Sequence, residues 1–468
     1  MNGVECGGFE DLDRQIQEVE AQLQATKARG EALGSEAEVE AWEQEVTGLA
    51  QQFGDLLVAR RLQETLCSPA HREREEALRR QLPCRYRWEG WREVTVQMTQ
   101  GTPVRLWVRY ASRSGSRRRH RERGLYPGLL LLGLYEHCTP GRASKVAQLV
   151  VAMGSLEEAE RHLREQGQAV ERKRMRRVTR RMAQRARLAQ QVEAVPLGES
   201  VAGRRVVVAM DGGRLRVRHP KRGRRTAKGR HRYHTPWKEP KLLIVYTLDA
   251  KGRQDKSFSP WIDGTLRGPD VLFTWLTGYL QGLHITQADR VQFIADGAAW
   301  IWNRIQALVQ SLGLRAEQVV QTVDFYHAVE HLALVAKEPV WSEAQRRQWL
   351  QDQVRHLRQG RVGWVLDAID RLRRGRGRNS VLRREREYFS SHRERLRYAQ
   401  FKAWHLPLGS GAIESAIRRV VNLRLKGASL FWNEDTAEEM LMLRAFYKAG
   451  RWNLLKRWAF SPAYALTA

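Results

Sequence analysis

Three carboxylates and one histidine motif offer most of the chemistry in this sequence. Asp211 closes the apolar run Val206-Val207-Val208-Ala209-Met210 and precedes Gly212-Gly213. Asp296 closes the run from Val291 to Ala295 and precedes Gly297-Ala298. Continuous apolar runs of this length read as strands buried on both faces. Each aspartate then stands at the carboxyl edge of a sheet, where α/β proteins bind ligands. A lone Asp there usually caps a turn. Two in matching context, in a very basic chain, point to metal binding, because a buried carboxylate needs a cation or hydrogen bonds. Glu414 lies in LPLGSGAIESAIRRVVNLRLKG, where a helix starting at Ser410 or Gly411 places it in the first turn. It reads either as an ion-paired surface residue or as a third ligand, with Arg418, Arg419, Arg424 and Lys426 gripping phosphates beside it. Three such carboxylates would hold two Mg²⁺ about 3.5–4 Å apart, one activating a water or 3′-hydroxyl and one stabilising the leaving oxygen. Mg²⁺, with Mn²⁺ as its substitute, needs only a few carboxylates plus substrate phosphates.

The histidine motif is the rival. His327-Ala328-Val329-Glu330-His331 matches H-x-x-E-H, which on a helix can bind zinc with the Glu as base. No third ligand in a helical context stands out, and proteolysis leaves the charge of the chain unexplained. Histidines lining a nucleic-acid cleft are the alternative.

The elements around these residues follow a βββαβα order. Lys241 to Leu248 is a second buried strand, Lys256 to Ile262 a third, and Val319 to Val323 a further one ending in Asp324. Pro269 to Leu283 and Trp300 to Leu312 read as helices. Residues 341–400 are helical and basic. The insert from Arg214 to His234, rich in Lys, Arg and Gly, reads as a flexible arm on a DNA backbone or as disorder. Trp300, Trp302 and Trp432 read mainly as core, with base stacking as the competing role.

Upstream, Leu12, Ile16, Val19 and Leu23, and then Val39, Trp42, Val46, Leu49, Phe53 and Leu56, repeat at spacings of three and four. Such a stripe forms either a coiled-coil dimer or a helical hairpin packed on its own body. Residues 92–110 alternate around Gln100-Gly101 as a β-hairpin, and a basic loop runs from Arg113 to Arg123. Helix starts follow at Tyr126-Pro127-Gly128 and Thr139-Pro140, then at Ser155 with a capping box to Glu158. The last helix of this region holds nine Lys and Arg between Arg172 and Arg187. Short helix, turn and basic helix is the layout of a helix-turn-helix, with Arg172, Lys173, Arg176, Arg177 and Arg180 as DNA contacts. A solvated bundle face is the alternative.

Composition fits that picture. The 468 residues carry a net charge of +29, with an isoelectric point near 10.6. The segment up to Arg60 is acidic, so the remainder holds the whole positive excess, as expected of a polyanion binder. Four cysteines without a CxxC pair argue against a disulfide scaffold or a Cys-built zinc site. The N-terminus has no signal-peptide pattern and no run approaches a membrane span. The expectation is a soluble, cytoplasmic, nucleoid-associated protein with no membrane partner.

The segments Met210-Asp211-Gly212, FIADGAAWIWNRI, VDFYHAVEHL and GSGAIESAIRRVVNLRLKG, with WKEPKLLIVYTLD, resemble the signature of bacterial insertion-sequence DDE transposases. The likeness is nearest to the ISKra family within the Mutator-like group and runs from about residue 120 to 455. It implies an α/β, RNase H-like core with an all-helical insertion, and Asp211, Asp296 and Glu414 as the catalytic, metal-holding triad. Asp324 stands where Mutator-like enzymes carry the Cys of a Cys-x-x-His, and His327 holds the His place; both are accessory candidates, Asp324 either orienting Asp296 or touching metal. The implied activity is Mg²⁺-dependent cleavage of double-stranded DNA at inverted repeats and strand transfer, by a homo-oligomer of at least two subunits. A catalytically inactive DNA-binding regulator is the alternative, and a zinc metallopeptidase a lesser one. The expected organisation is a helical region (1–90), hairpin and basic loop (91–125), helix-turn-helix-like domain (126–200), first part of the core (201–340), helical insertion (341–405) and last part of the core with the tail (406–468).

Overall fold

Much of the first apolar stripe is buried within the chain itself. Helices α1 (Phe9–Ala28) and α2 (Glu36–Cys67) contribute Leu12, Val19, Leu56, Ala59 and Leu66 to one hydrophobic cluster. The cluster is completed by Val94, Val96, Val104, Leu106 and Val108 of a β-hairpin and by Leu129 and Leu134. Of the stripe, Val39 and Trp42 stay exposed. This outcome is the hairpin packed on its own body. The structure, a computed structural model, describes residues 7–28, 33–113, 124–227, 229–374 and 379–461. It separates into two units, residues 1–189 with 453–468 and residues 190–452. The first two expected segments and the third as far as residue 189 thus share one unit, and residues 190–200 fall in the other.

In the first unit, α3 (Pro69–Gln81) follows α2, and strands β1 (Tyr86–Gln97) and β2 (Pro103–Arg113) pair antiparallel. The turn carries Gly101 at φ +103°, a conformation that favours glycine. The Asp55 carboxylate accepts the Gln100 and Thr102 N–H groups at 3.0 and 3.3 Å, which fixes the turn on α2. The short α4 (Pro127–Leu131), α5 (Pro140–Ala152), α6 (Leu156–Glu165) and α7 (Arg172–Val192) follow. Thr139 and Ser155 cap α5 and α6 as expected, and Glu158 accepts the Gly154 N–H at 3.0 Å. Most of the basic loop expected from Arg113 to Arg123 lies outside the described residues. Cys67 takes part in a disulfide, while Cys84 and Cys138 are free.

The second unit is mixed α/β. Strand β3 (Arg205–Gly212) leads into a ribbon made of β4 (Leu215–Arg216), β5 (His219–Pro220), β6 (Tyr233–His234) and β7 (Trp237–Lys238). β4 pairs β7 and β5 pairs β6, so the insert expected as a flexible arm is a paired hairpin. Next come β8 (Lys241–Leu248), β9 (Trp261–Thr265), α8 (Pro269–Gly282), β10 (Arg290–Ala295), α9 (Ala299–Leu312) and β11 (Val319–Val323). The third strand begins at Trp261 rather than Lys256, because Asp255 turns the chain by accepting the Ser257 N–H at 2.8 Å. The five strands lie in the order β11-β10-β3-β8-β9. β3, β8 and β9 form an antiparallel meander, and β10 and β11 run parallel to β3. Every residue of β8 is buried, as its unbroken apolar run requires.

After β11 comes α10 (Phe325–Lys337), then the helical stretch α11 (Glu343–Arg358), α12 (Val362–Arg373), α13 (Ser380–Ser391) and α14 (Tyr398–Ala403). The chain returns through α15 (Gly411–Ile417) and α16 (Glu434–Lys448), and α17 (Trp452–Ala459) follows. No helix among the described residues is long and apolar enough to cross a membrane.

Candidate active site

Register brings the two aspartates together. In the parallel pair β3 and β10, Val206 faces Val291 and Ala209 faces Ile294. Carrying that offset two residues further sets Asp211 beside Asp296, on neighbouring strands about 4.8 Å apart. The β10 and β11 pairing, with Ala295 opposite Val323, sets Asp324 beside Asp296 in turn. Three strands thus present an aspartate at one edge.

Asp324 is used differently from the other two. It is fully buried and caps α10, its Oδ1 accepting the Tyr326 and His327 N–H groups at 2.6 and 3.0 Å. Its Oδ2 accepts the Ser410 N–H, four residues before Glu414. Backbone amides thus occupy both oxygens. These bonds make Asp324 the fastening of the loop that launches the Glu414 helix. Phe325 N–H donates to Leu408 O at 2.9 Å and strengthens the same junction.

Glu414 sits exposed in the first turn of α15, and Ser410 Oγ donates to it at 3.4 Å. α15 rests on β3, with Ile417 and Val421 against Gly213, and continues into a π-helical turn, Arg418–Asn422. Such turns leave carbonyls without their usual partners. Buried Arg444 answers them, its guanidinium donating to Val420 O at 2.8 Å and to Arg419 O.

The electrostatics register this convergence. Burial pushes the Asp211 carboxyl up to about 6, and the nearby Asp296 and Glu414 charges push the same way, while His327 and the Gly212 N–H pull it down. Asp296 accepts the Ala298 N–H at 3.0 Å. Among the described residues, none of the three carboxylates has a Lys or Arg in ion-pair contact. No three His, Cys, Asp or Glu side chains among them converge as a ready-made metal cage.

The second histidine of H-x-x-E-H is engaged elsewhere. His331 Nδ1 lies 2.5 Å from the carboxylate of fully buried Glu385, and its ring stacks on Tyr388 with centroids 3.6 Å apart. His327 Nδ1 lies 3.2 Å from Glu330. Nothing in the sequence pointed to Tyr388, whose ring covers Gly297: a Cβ there would come within 2.4 Å of it. α13 thereby reaches the turn after Asp296.

The expected phosphate contacts divide. Arg418 and Lys426 are exposed. Arg419 is half-buried, with Nε on Ser415 O at 3.3 Å. Arg424 is 6% exposed and lies over the Trp432 ring, so it supports the core and presents no free face to a phosphate. Trp432 Nε1 donates to Leu425 O and Trp302 Nε1 to Asp296 O, at 3.0 and 2.6 Å; both are structural. Trp300 holds Lys241 on its face at 4.4 Å.

In the first unit, Arg172, Lys173, Arg176, Arg177 and Arg180 form the exposed face of α7. Arg172 and Arg177 are tied to Glu160 and Glu136 at 2.6 and 2.7 Å. Lys173 and Arg176 have no carboxylate partner among the described residues. Arg185 is buried, over the Tyr135 ring.

Comparison with protein-family models, curated proteins and solved structures gave no match to the chain.

Proposed function

We propose that this chain is a DDE-type DNA transposase on an RNase H-like core, cutting transposon ends in double-stranded DNA and joining them to a target. One observation carries the reading. In a chain with a net charge of +29, two aspartates stand at adjacent strand ends with Glu414 near enough to act on Asp211, whose carboxyl is raised by burial first and by the charges of Asp296 and Glu414 after it. A mixed sheet with an antiparallel meander and two further parallel strands is compatible with the proposed core. The resemblance of FIADGAAWIWNRI and GSGAIESAIRRVVNLRLKG to insertion-sequence enzymes points the same way.

Hard carboxylate oxygens with no competing cation fit Mg²⁺, which takes its remaining ligands from water and substrate phosphates. Asp211, Asp296 and Glu414 would hold two such ions. When bound, they supply Lewis-acid polarisation of the phosphodiester and a more acidic attacking hydroxyl. Asp211 and Asp296 give the site its rigid wall, Asp211 through its pairing with Leu242 and Asp296 through its place at the end of β10 and its bond from the Ala298 N–H. Glu414 supplies the opposite wall from α15, at a position set by Asp324 and Arg444. His327, half-buried and close enough to act on Asp211, orients a phosphate oxygen. Arg418 and Lys426 hold the phosphates that follow. Exposed Val39 and Trp42 are the part of the stripe left for pairing subunits, so that two ends are cut together.

The test is strand cleavage of a labelled duplex carrying the terminal repeat of the element that encodes the chain, in Mg²⁺ and in EDTA. Asp211→Ala, Asp296→Ala and Glu414→Ala should each abolish cutting and retain DNA binding. Binding without cutting by the unmodified chain would instead support an inactive regulator. Cutting that survives all three substitutions would overturn the assignment.

A further inference from the structure

No Asp or Glu occurs between Asp211 and Glu239, yet this stretch folds as a hairpin. Beyond the β4–β7 and β5–β6 pairs, Lys221 N–H donates to Arg232 O at 2.7 Å and Thr226 N–H to Arg230 O at 2.8 Å. Its base is fastened to the segment following the Glu414 helix. Arg218 N–H donates to Trp432 O at 2.8 Å and Trp432 N–H to Arg216 O at 3.0 Å, and Lys238 pairs with Glu434. Outward from that anchor, Lys221, Arg222, Arg224, Arg230 and Arg232 are exposed, with no carboxylate partner among the described residues. A two-stranded ribbon is at best marginally stable by itself, and like charges facing across it weaken it further. A polyanion laid along it would remove that repulsion.

We propose that this ribbon is a clamp for B-form duplex DNA, gripping backbone phosphates beside the Asp211–Asp296 edge; the proposal rests on the nucleic-acid reading above. Charge complementarity names a polyanion, and two further observations choose the duplex. A two-stranded β-ribbon fits the roughly 12 Å major groove of B-DNA, whereas the deep, narrow groove of A-form RNA excludes it. Unpaired bases would need open aromatic faces, and each exposed ring at the base of the ribbon already carries an arginine on one face. Arg216 lies over Trp237 at 4.8 Å and Arg218 over Tyr233 at 5.0 Å. The ribbon also lacks the Asn and Gln that read adenine, and the grip proposed for its Arg and Lys is on the phosphate backbone.

The test uses the full chain, two unrelated 30-base-pair duplexes, a single strand and an RNA duplex, titrated across salt concentrations. The triple variant Arg222→Ala, Arg224→Ala and Arg230→Ala should bind both DNA duplexes more weakly by the same factor, on the order of a hundredfold at 0.1 M salt. Its log–log salt slope should fall by about 3, from roughly 0.9 per lost phosphate contact. The triple Lys variant at these positions should restore most of the affinity. An unchanged affinity and slope in the Ala variant, with normal duplex binding and cleavage by the unmodified chain, would overturn the clamp alone. A loss confined to the single strand or to RNA would overturn the choice of partner. Duplex binding through the ribbon without cleavage would support the clamp and remove the proposed activity. No duplex binding by the unmodified chain would remove both.

Discussion

Asp324→Asn separates a ligand from a fastening. The carboxylate is fully buried and accepts three backbone N–H groups, from Tyr326, His327 and Ser410. Asparagine keeps one oxygen for the α10 cap and turns an NH₂ toward the Ser410 N–H, donor against donor. The lost charge-assisted bond costs about 1.5–3 kcal/mol and the orphaned buried N–H about 1–3 kcal/mol more. A cost of roughly 2.5–6 kcal/mol in a unit of this size should lower its melting transition by roughly 5–24 °C. Because Ser410 starts the turn that carries Glu414, strand cleavage should fall while duplex affinity stays. Circular dichroism melting without metal, Mn²⁺ titration and single-turnover cleavage read the three quantities separately. An unchanged metal-free melting transition with lost Mn²⁺ affinity would refute the fastening and make Asp324 a ligand.

Four further outcomes are expected. With Asp211 held at about 6 rather than 3.8, its native carboxyl keeps a proton that the unfolded chain has released. Metal-free stability should therefore fall as pH rises across that interval while Mn²⁺ affinity rises, and melting and calorimetry should show Asp211→Asn removing both trends. Gly297→Ala should displace Tyr388, whose ring is backed by His331, costing about 1–3 kcal/mol by overpacking in urea unfolding and slowing cleavage. Glu75 is buried beside Arg109 at 3.2 Å, and burial outweighs that attraction and holds it at about 7, against 4.5 when exposed. Stability of the first unit should thus decline from pH 4.5 to 7, and urea midpoints of Glu75→Gln should lose the decline, leaving the opposite trend from His71, whose imidazole burial holds below 6.5. Glu239→Gln should free Lys241 to approach Asp211 and weaken Mn²⁺ binding in calorimetry.

What the sequence made legible was local. The two runs ending in Asp-Gly predicted β3 and β10 and put each aspartate at the carboxyl edge of a sheet, while their adjacency came from the register of the two strands. Strand β8 and strand β11 appeared with the bounds read from their hydrophobicity. Contacts between distant segments were not legible. That Arg424 is buried over Trp432 while Arg418 is exposed depends on how the π-helical turn rotates the chain after Ile417, and an arginine-rich string looks the same either way. The role of Asp324 was half visible: a strand-end Asp before a helix is an N-cap pattern, but its hold on Ser410 spans 86 positions. The hairpin of the Arg214–His234 insert was masked by its composition, which reads as solvated coil.

A very basic chain faces a difficulty at any anionic site, because neighbouring cations neutralise it. Lys241 is the sharpest case. It lies opposite Gly212 in the β3–β8 ladder, one residue from Asp211, and is only 9% exposed. Its ammonium is drawn away instead, to Glu239 at 2.7 Å and to the Trp300 ring at 4.4 Å. Gly212 makes room for this arrangement, since a Cβ there would collide with the Glu239 carboxylate. Small residues flank the acids elsewhere, Gly213 after Asp211, Gly297 and Ala298 after Asp296, Gly411 and Ala412 before Glu414, so no long cationic side chain starts next to them. The repulsion that adds to burial in raising Asp211 is therefore a maintained condition. A divalent cation relieves it most fully, because a single lysine would neutralise one carboxylate and leave the other two opposed.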